Sequence, residues 1–205
     1  RLIQGDVGSG KTIVAFLAML DVALSGYQTA IMAPTEVLAK QHYENFKEWI
    51  LESGLDIPVA VFTGSMKLSE KKAMQKIVDE NDSCIIVGTH ALISEGRTFG
   101  NLALVIADEQ HRFGVQQRDR LSSKGNHPHI IVMSATPIPR TLAMILYGNM
   151  HVSVIKELPA DRLPIKTCVI KEHMRPVAYK FVSNEVESGH QVYIICPLVI
   201  IRKNP

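Results

Sequence analysis

The chain holds 205 residues, 46% apolar and 20% charged, with a formal charge of +2. These are the proportions of an ordinary globular protein, and so small a surplus of charge does not by itself announce a nucleic-acid partner. No run of 18 apolar residues occurs, which excludes a membrane-spanning helix, and the length suits one large domain or one domain and part of another. Cys84, Cys168 and Cys196 are odd in number and match no zinc or redox spacing. Each sits in an apolar, strand-like run, so buried free thiols in a reducing cytosol are expected. The chain starts inside a structural element at Arg1, without a signal peptide, and stops just after a strand-like run. It reads as a piece of something longer.

Taken in order, a short apolar run (Leu2-Ile3) leads into Gly5-Asp6-Val7-Gly8-Ser9-Gly10-Lys11-Thr12, and a helical pattern opens at Ile13. Residues 28–33 read as a strand, and 35–53 as an amphipathic helix with Thr35 as N-cap and Gly54 as terminator. Strands follow at 58–63, 84–88, 102–107, 129–134 and 151–155. Helices are expected near 68–80, 114–124 and 138–147. Continuous apolar strands alternating with helices predict an α/β fold, a parallel sheet covered on both faces. Its ligands belong at the carboxyl ends of the strands. Residues 158–165 carry Pro159 and Pro164 without periodicity and read as a linker. A strand (165–170), a helix (about 175–188) and a strand (191–197) then open a second unit, too short for an independent domain.

The glycine-rich stretch 5–12 follows a strand and opens a helix, the context that a phosphate-cradling P-loop requires. Gly5, Gly8 and Gly10 are expected to free the backbone for positive φ, so that successive N–H groups face an anion at the helix start. Lys11 then reaches the β- and γ-phosphates, and the Thr12 hydroxyl ligates Mg²⁺. By composition such a motif arises by chance in roughly one per cent of chains this long. The strand 102–107 ends in Asp108-Glu109-Gln110-His111. A buried strand ending in two carboxylates needs a partner for their charge, and Mg²⁺ supplies one. Asp108 would hold the ion and Glu109 would deprotonate the attacking water, as in a Walker B motif.

Ser134-Ala135-Thr136 ends the strand 129–134, where its hydroxyls could bond those carboxylates. Taken alone it is an ordinary helix cap. Three further strand ends pair a hydroxyl with backbone N–H groups: Ala33-Pro34-Thr35-Glu36, Thr63-Gly64-Ser65 and Gly88-Thr89-His90-Ala91-Leu92. One alone reads as a cap or turn; three favour a track for a nucleic-acid backbone. His42, Trp49, His127 and His129 are expected only to pack or to face solvent.

GDVGSGKT, APTEVLAKQH, TGS, GTHALI, DEQHRFGV and MSATPIPRTLA, in this order, resemble superfamily 2 DNA helicases of the RecG type. The likeness covers nearly the whole chain, and QVYIICPL is similar to the strand that opens their second motor domain. It implies a RecA-like, doubly wound P-loop fold. Residues 1–157 would be the first motor domain, 158–165 the linker, and 166–205 the incomplete start of the second. It implies ATP and Mg²⁺ as cofactors, with residues 5–12 on the nucleotide and Thr12 and Asp108 on the metal. Lys11, Asp108, Glu109, Gln110 and His111 would be catalytic. Ser134 and Thr136 would couple nucleotide state to DNA, and Pro34, Thr35, Gly64, Thr89 and His90 would lie along its backbone. The family remodels branched DNA in the bacterial cytoplasm, beside the nucleoid. A wedge domain and the rest of the second motor would lie elsewhere in the protein, so the 205 residues alone are expected not to turn over ATP. The translocase module of transcription-repair coupling factors is the nearest alternative; it typically carries DEEH where this chain has DEQH. A P-loop nucleotide kinase, or a module that grips DNA without turnover, are rivals from other classes.

Overall fold

The computed structural model describes residues 1–93, 99–108, 128–136, 150–157 and 165–196. The chain divides into two compact units, Arg1–Asp161 and Arg162–Pro205. In the first unit the elements run β1 (Leu2–Gly5), α1 (Lys11–Leu24), β2 (Gln28–Met32), α2 (Glu36–Glu52), β3 (Val59–Phe62), α3 (Leu68–Glu80) and β4 (Cys84–Gly88). A 3₁₀ turn (His90–Ile93), β5 (Leu102–Ala107), β6 (His129–Ser134) and β7 (Val152–Ile155) complete it. The expected helices at 114–124 and 138–147 lie outside the described residues.

All seven strands form one parallel sheet in the order β3-β4-β2-β5-β6-β1-β7. Alternate residues of each strand face opposite sides, so each buried strand serves two cores. On one face Ile31, Ile85, Val87, Leu104, Ile106 and Met133 pack under Phe16 and Met19 of α1 and Phe46 and Ile50 of α2. On the other, Ala30, Met32, Phe62, Ile86 and Val105 pack under Val78 of α3, with Leu92 and Phe99. Each fully buried large side chain contributes about 1.5–3 kcal/mol relative to exposure. The two layers of helix are why the central strands read as unbroken apolar runs.

The strand order sorts the motifs. Three adjacent strands, β5, β6 and β1, carry Asp108, Ser134-Ala135-Thr136 and the glycine loop at their carboxyl ends. The neighbouring block β3-β4-β2 carries Thr63-Gly64-Ser65, Gly88-Thr89-His90 and Pro34-Thr35. The ladder extends past the strand ends: Asp108 N donates to Met32 O (2.9 Å), Ala33 N to Gly88 O (2.8 Å) and Thr89 N to Phe62 O (3.1 Å). Asp108, Ala33 and Thr89 are thereby fixed to the sheet rather than left on free loops.

In the second unit a 3₁₀ turn (Glu172–Met174) leads into α4 (Arg175–Glu187), with Pro176 in its first turn, where its missing N–H costs no helical bond. Of the strands expected at 165–170 and 191–197, the described residues 165–170 and 191–196 join no ladder and are not strands. Val169 and Ile195 are almost wholly exposed. Apolar, β-branched composition marks a segment that suits a sheet, but strand geometry persists only with a ladder partner. For the same reason two of the three expected buried thiols are not buried. Cys84, in β4, is buried and its thiol is pushed up to about 12 by desolvation, whereas Cys168 and Cys196 are exposed.

Candidate functional site

The glycine loop bridges β1 and α1. Gly8 (φ 79°) and Gly10 (φ 87°) take the left-handed backbone that other residues rarely adopt. Gly10 is the N-cap of α1 and offers no side chain, so the first amides of that helix have no capping partner. Gly5 corrects the expectation made for it. It is not among the positive-φ residues; a Cβ there would stand 2.5 Å from Ser9 Oγ, so close packing within the loop demands glycine. Asp6 closes the turn, its Oδ1 accepting from Val7 N (2.7 Å) and its carbonyl from Ser9 N (3.1 Å). Lys11 is 9% exposed, and its ammonium donates to the carbonyls of Gly5 (2.9 Å) and Asp6 (2.8 Å). Ser9 Oγ is buried and makes no hydrogen bond among the described residues. A glycine loop that leads into uncapped helix-start amides, a buried cation and an unpartnered buried hydroxyl fits a phosphate chain. Val7 is exposed at the loop's tip, and Thr12 is half-buried in the first turn of α1.

Asp108 lies just beyond β5, two strands from the loop, and is 8% exposed. Among the described residues no three His, Cys, Asp or Glu side chains gather as a ready-made metal cluster. An ion here would take Thr12, Asp108 and oxygens of a bound phosphate, the sparse ligand set that suits Mg²⁺. Glu109, Gln110 and His111 lie outside the described residues. Between the two, the Ser134 hydroxyl is turned to its own motif: it accepts from Thr136 N (3.2 Å) and meets Thr136 Oγ1 (3.1 Å). It also donates to the Thr136 carbonyl (3.0 Å).

Sequence reasoning missed the partner of Asp108. Oδ2 lies 3.1 Å from Nε2 of His42, a residue of α2 that is itself 5% exposed. The signal was present: Ala39, His42, Phe46 and Ile50 form the buried stripe of α2, and His42 is the one polar member. Its ring stacks on Phe46 (centroids 5.8 Å, 18°), and Phe46 meets Phe16 of α1 at 5.1 Å.

The second half of the edge is held together by Glu36. Its carboxylate accepts from Ser65 N (2.9 Å) and from the Ser65 hydroxyl, while Lys71 Nζ donates to Gly64 O (3.0 Å). The two bonds from Ser65, hydroxyl first and amide second, lower the Glu36 carboxyl below its ordinary range. Thr35 Oγ1 caps α2 by accepting from Leu38 N (3.3 Å), and Pro34 and Thr35 are half-buried. Thr89 departs from expectation. It is 1% exposed, its hydroxyl faces Ala91 N and its amide is given to Phe62 O, so of the pair only His90 is at the surface. Gly88 beneath them has no room for a Cβ, which would fall 2.6 Å from Phe62 O. Among the described residues no helix is long and apolar enough to cross a membrane.

A parallel sheet whose carboxyl edge carries a glycine loop and an acidic strand end is the architecture of a RecA-like P-loop domain. In agreement, residues 1–145 match the family model for DEAD/DEAH box helicases, and the chain belongs to that family. Within it the chain is similar to bacterial RecG proteins. It is 51% identical to the ATP-dependent DNA helicase RecG of Synechocystis sp. over 97% of its own length, and 52% identical to that of Aquifex aeolicus over the same share. It spans about a quarter of the length of those relatives (24% and 25%). The structure of RecG bound to a three-way DNA junction superposes with a TM-score of 0.78 at 44% identity, covering 97% of this chain and 26% of that one. A DEAD box protein from Methanococcus jannaschii, 22% identical with a TM-score of 0.58, has the same fold; it covers 75% of this chain and 45% of that one.

Proposed function

We propose that this chain is the nucleotide-hydrolysing motor domain of an ATP-dependent DNA helicase of the RecG type, acting on branched DNA. The observation that carries this reading is the sorting of the carboxyl edge into a phosphate-loop half and a backbone-row half, on a sequence about half identical to RecG. Residues 1–157 would form the first motor domain and 158–165 a linker, with 166–205 opening the second. The wedge and the remainder of the second motor would belong to the rest of the protein, which works in the bacterial cytoplasm beside the nucleoid.

Mg²⁺-ATP, when bound, supplies the phosphoanhydride whose terminal phosphoryl group is transferred to water. The amides of Gly8, Gly10, Lys11 and Thr12 and the Lys11 ammonium would hold its phosphates by charge-assisted hydrogen bonds. Thr12 and Asp108 hold the metal. Glu109 takes the proton of the attacking water, and Gln110, His111, Ser134 and Thr136 relay the state of the site. Pro34, Thr35, Gly64 and His90 meet backbone phosphates, while Thr89, buried and with its amide given to Phe62 O, anchors the strand end that presents His90. Such contacts hold DNA without reading its sequence, which suits a motor that moves along it. Lys11→Ala in the full-length protein tests the assignment. Loss of binding of a fluorescent ATP analogue, with an unchanged melting temperature, is expected; unchanged affinity would refute it.

A further inference from the structure

A carboxylate that holds a metal must be aimed, and an aspartate at a strand end retains freedom about χ1 and χ2. Here that freedom is removed by another element. His42 lies two turns into α2, stacked against Phe46 and almost wholly buried, with Nε2 3.1 Å from Oδ2 of Asp108. His42 Nδ1 is buried and makes no hydrogen bond among the described residues. The tautomer with its proton on Nε2 is therefore the one that spares a buried donor, and it donates to Asp108. Oδ2 is then occupied, and Oδ1 is the oxygen left for an ion or its water shell. A purely packing role does not account for this. The other members of the stripe are Ala39, Phe46 and Ile50, and an apolar residue at 42 would leave a buried carboxylate without its donor.

We propose that His42 is the positioning residue of the metal-holding carboxylate: its Nε2–H fixes Asp108 in the orientation that receives Mg²⁺ with the nucleotide. The inference rests on the reading of Asp108 as a metal holder. It follows the general pattern in which a donor bonded to a metal-ligating carboxylate sets the affinity of the site. Because His42 belongs to the helix that starts at Thr35 and Glu36, the same bond ties the nucleotide half of the edge to the backbone-row half.

The test is Mg²⁺-dependent binding of a fluorescent ATP analogue to the full-length protein, measured without turnover. His42→Phe keeps a ring against Phe46 and loses the donor. It should raise the Mg²⁺ concentration for half-maximal binding about tenfold or more, the range seen when such supporting contacts are removed. His42→Gln, whose amide nitrogen can reach the place of Nε2, should restore most of the wild-type response. His42→Asn, whose amide reaches only the place of Nδ1, should behave like His42→Phe and carries the test if the phenylalanine variant does not fold. A wild-type Mg²⁺ response in His42→Phe or His42→Asn would overturn the assignment, as would a glutamine variant impaired as badly as they are. A wild-type protein whose nucleotide binding ignored Mg²⁺ would instead overturn the reading of the site itself, and this inference with it.

Discussion

Glu36, the first residue of α2, and Ser65, in the turn after β3, are joined twice through one carboxylate, which accepts both the amide and the hydroxyl of Ser65. The clasp fixes the spacing between the β2 and β3 ends, and it depends on charge. The Glu36 carboxyl is lowered from its ordinary value of 4.5, first by the Ser65 hydroxyl and then by its amide. A lowered carboxylate stabilises the fold fully above its unfolded value and loses that contribution as pH falls through the folded one. Hydrogen exchange should therefore show the Ser65 amide protected relative to Glu36→Ala at neutral pH. The difference should vanish as the pH drops below 4.5. A difference that did not change with pH would remove the carboxylate from the explanation.

Gly88 and Gly100 provide a matched pair. A Cβ at Gly88 would press on the Phe62 carbonyl at 2.6 Å and on Leu92 at 2.8 Å, whereas one at Gly100 would meet nothing within 4 Å. The backbone of β3 cannot retreat without breaking its ladder with β4. Gly88→Ala should destabilise by about 1–3 kcal/mol, the usual range for overpacking. Gly100→Ala should stay within about 0.5 kcal/mol, as open surface sites do. Chemical denaturation midpoints measure both, and equal midpoints would contradict the steric account.

Phe46 closes the aromatic group that joins the two helices on one face, touching Phe16, Trp49 and His42. It is fully buried, so Phe46→Ala should cost about 3–5 kcal/mol through lost transfer energy and the cavity left behind. Trp49, the one tryptophan of the chain, should report the loosening by a red shift in its emission. A loss below about 1 kcal/mol would mean that the neighbours collapse into the space, a degree of relaxation unusual for so large a side chain.

The strands were legible because burial on both faces writes itself as unbroken apolar runs: LALVIA and HIIVMS have the same bounds in sequence and structure. Even β7, at the sheet edge and partly exposed, keeps enough β-branched character to be read. The order of the strands was not legible. Nothing local in LALVIA says that it lies between β2 and β6, although that adjacency divides the edge into its two halves. His42 was missed for a related reason. On a helical wheel it is one more buried position, and its carboxylate partner is 66 residues away. The need for Gly5 came from Ser9 rather than from its own φ, which a motif cannot reveal. The flanks of α4 were over-read because apolar composition specifies where a strand would pack and leaves its partner unnamed.

The division of the edge makes the last prediction. Lys11 belongs to β1's end and the exposed His90 to β4's, with β2, β5 and β6 between those strands. The two halves are connected through α2, which bonds Asp108 at His42 and Ser65 at Glu36. On the proposed reading, a surface contact from His90 to one DNA phosphate and a nucleotide-binding loop at Lys11 should fail separately. In the full-length protein His90→Ala should weaken binding to a forked duplex several-fold, since a hydrogen bond of about 1 kcal/mol corresponds to roughly a fivefold change. The loss should be uniform across DNA sequences, because a phosphate contact carries no base information. Affinity for a fluorescent ATP analogue in the absence of DNA should not change. Anisotropy titrations of both ligands on the same preparation decide it. Equal loss of nucleotide and DNA binding would mean that His90 supports the fold of the edge rather than its grip on DNA.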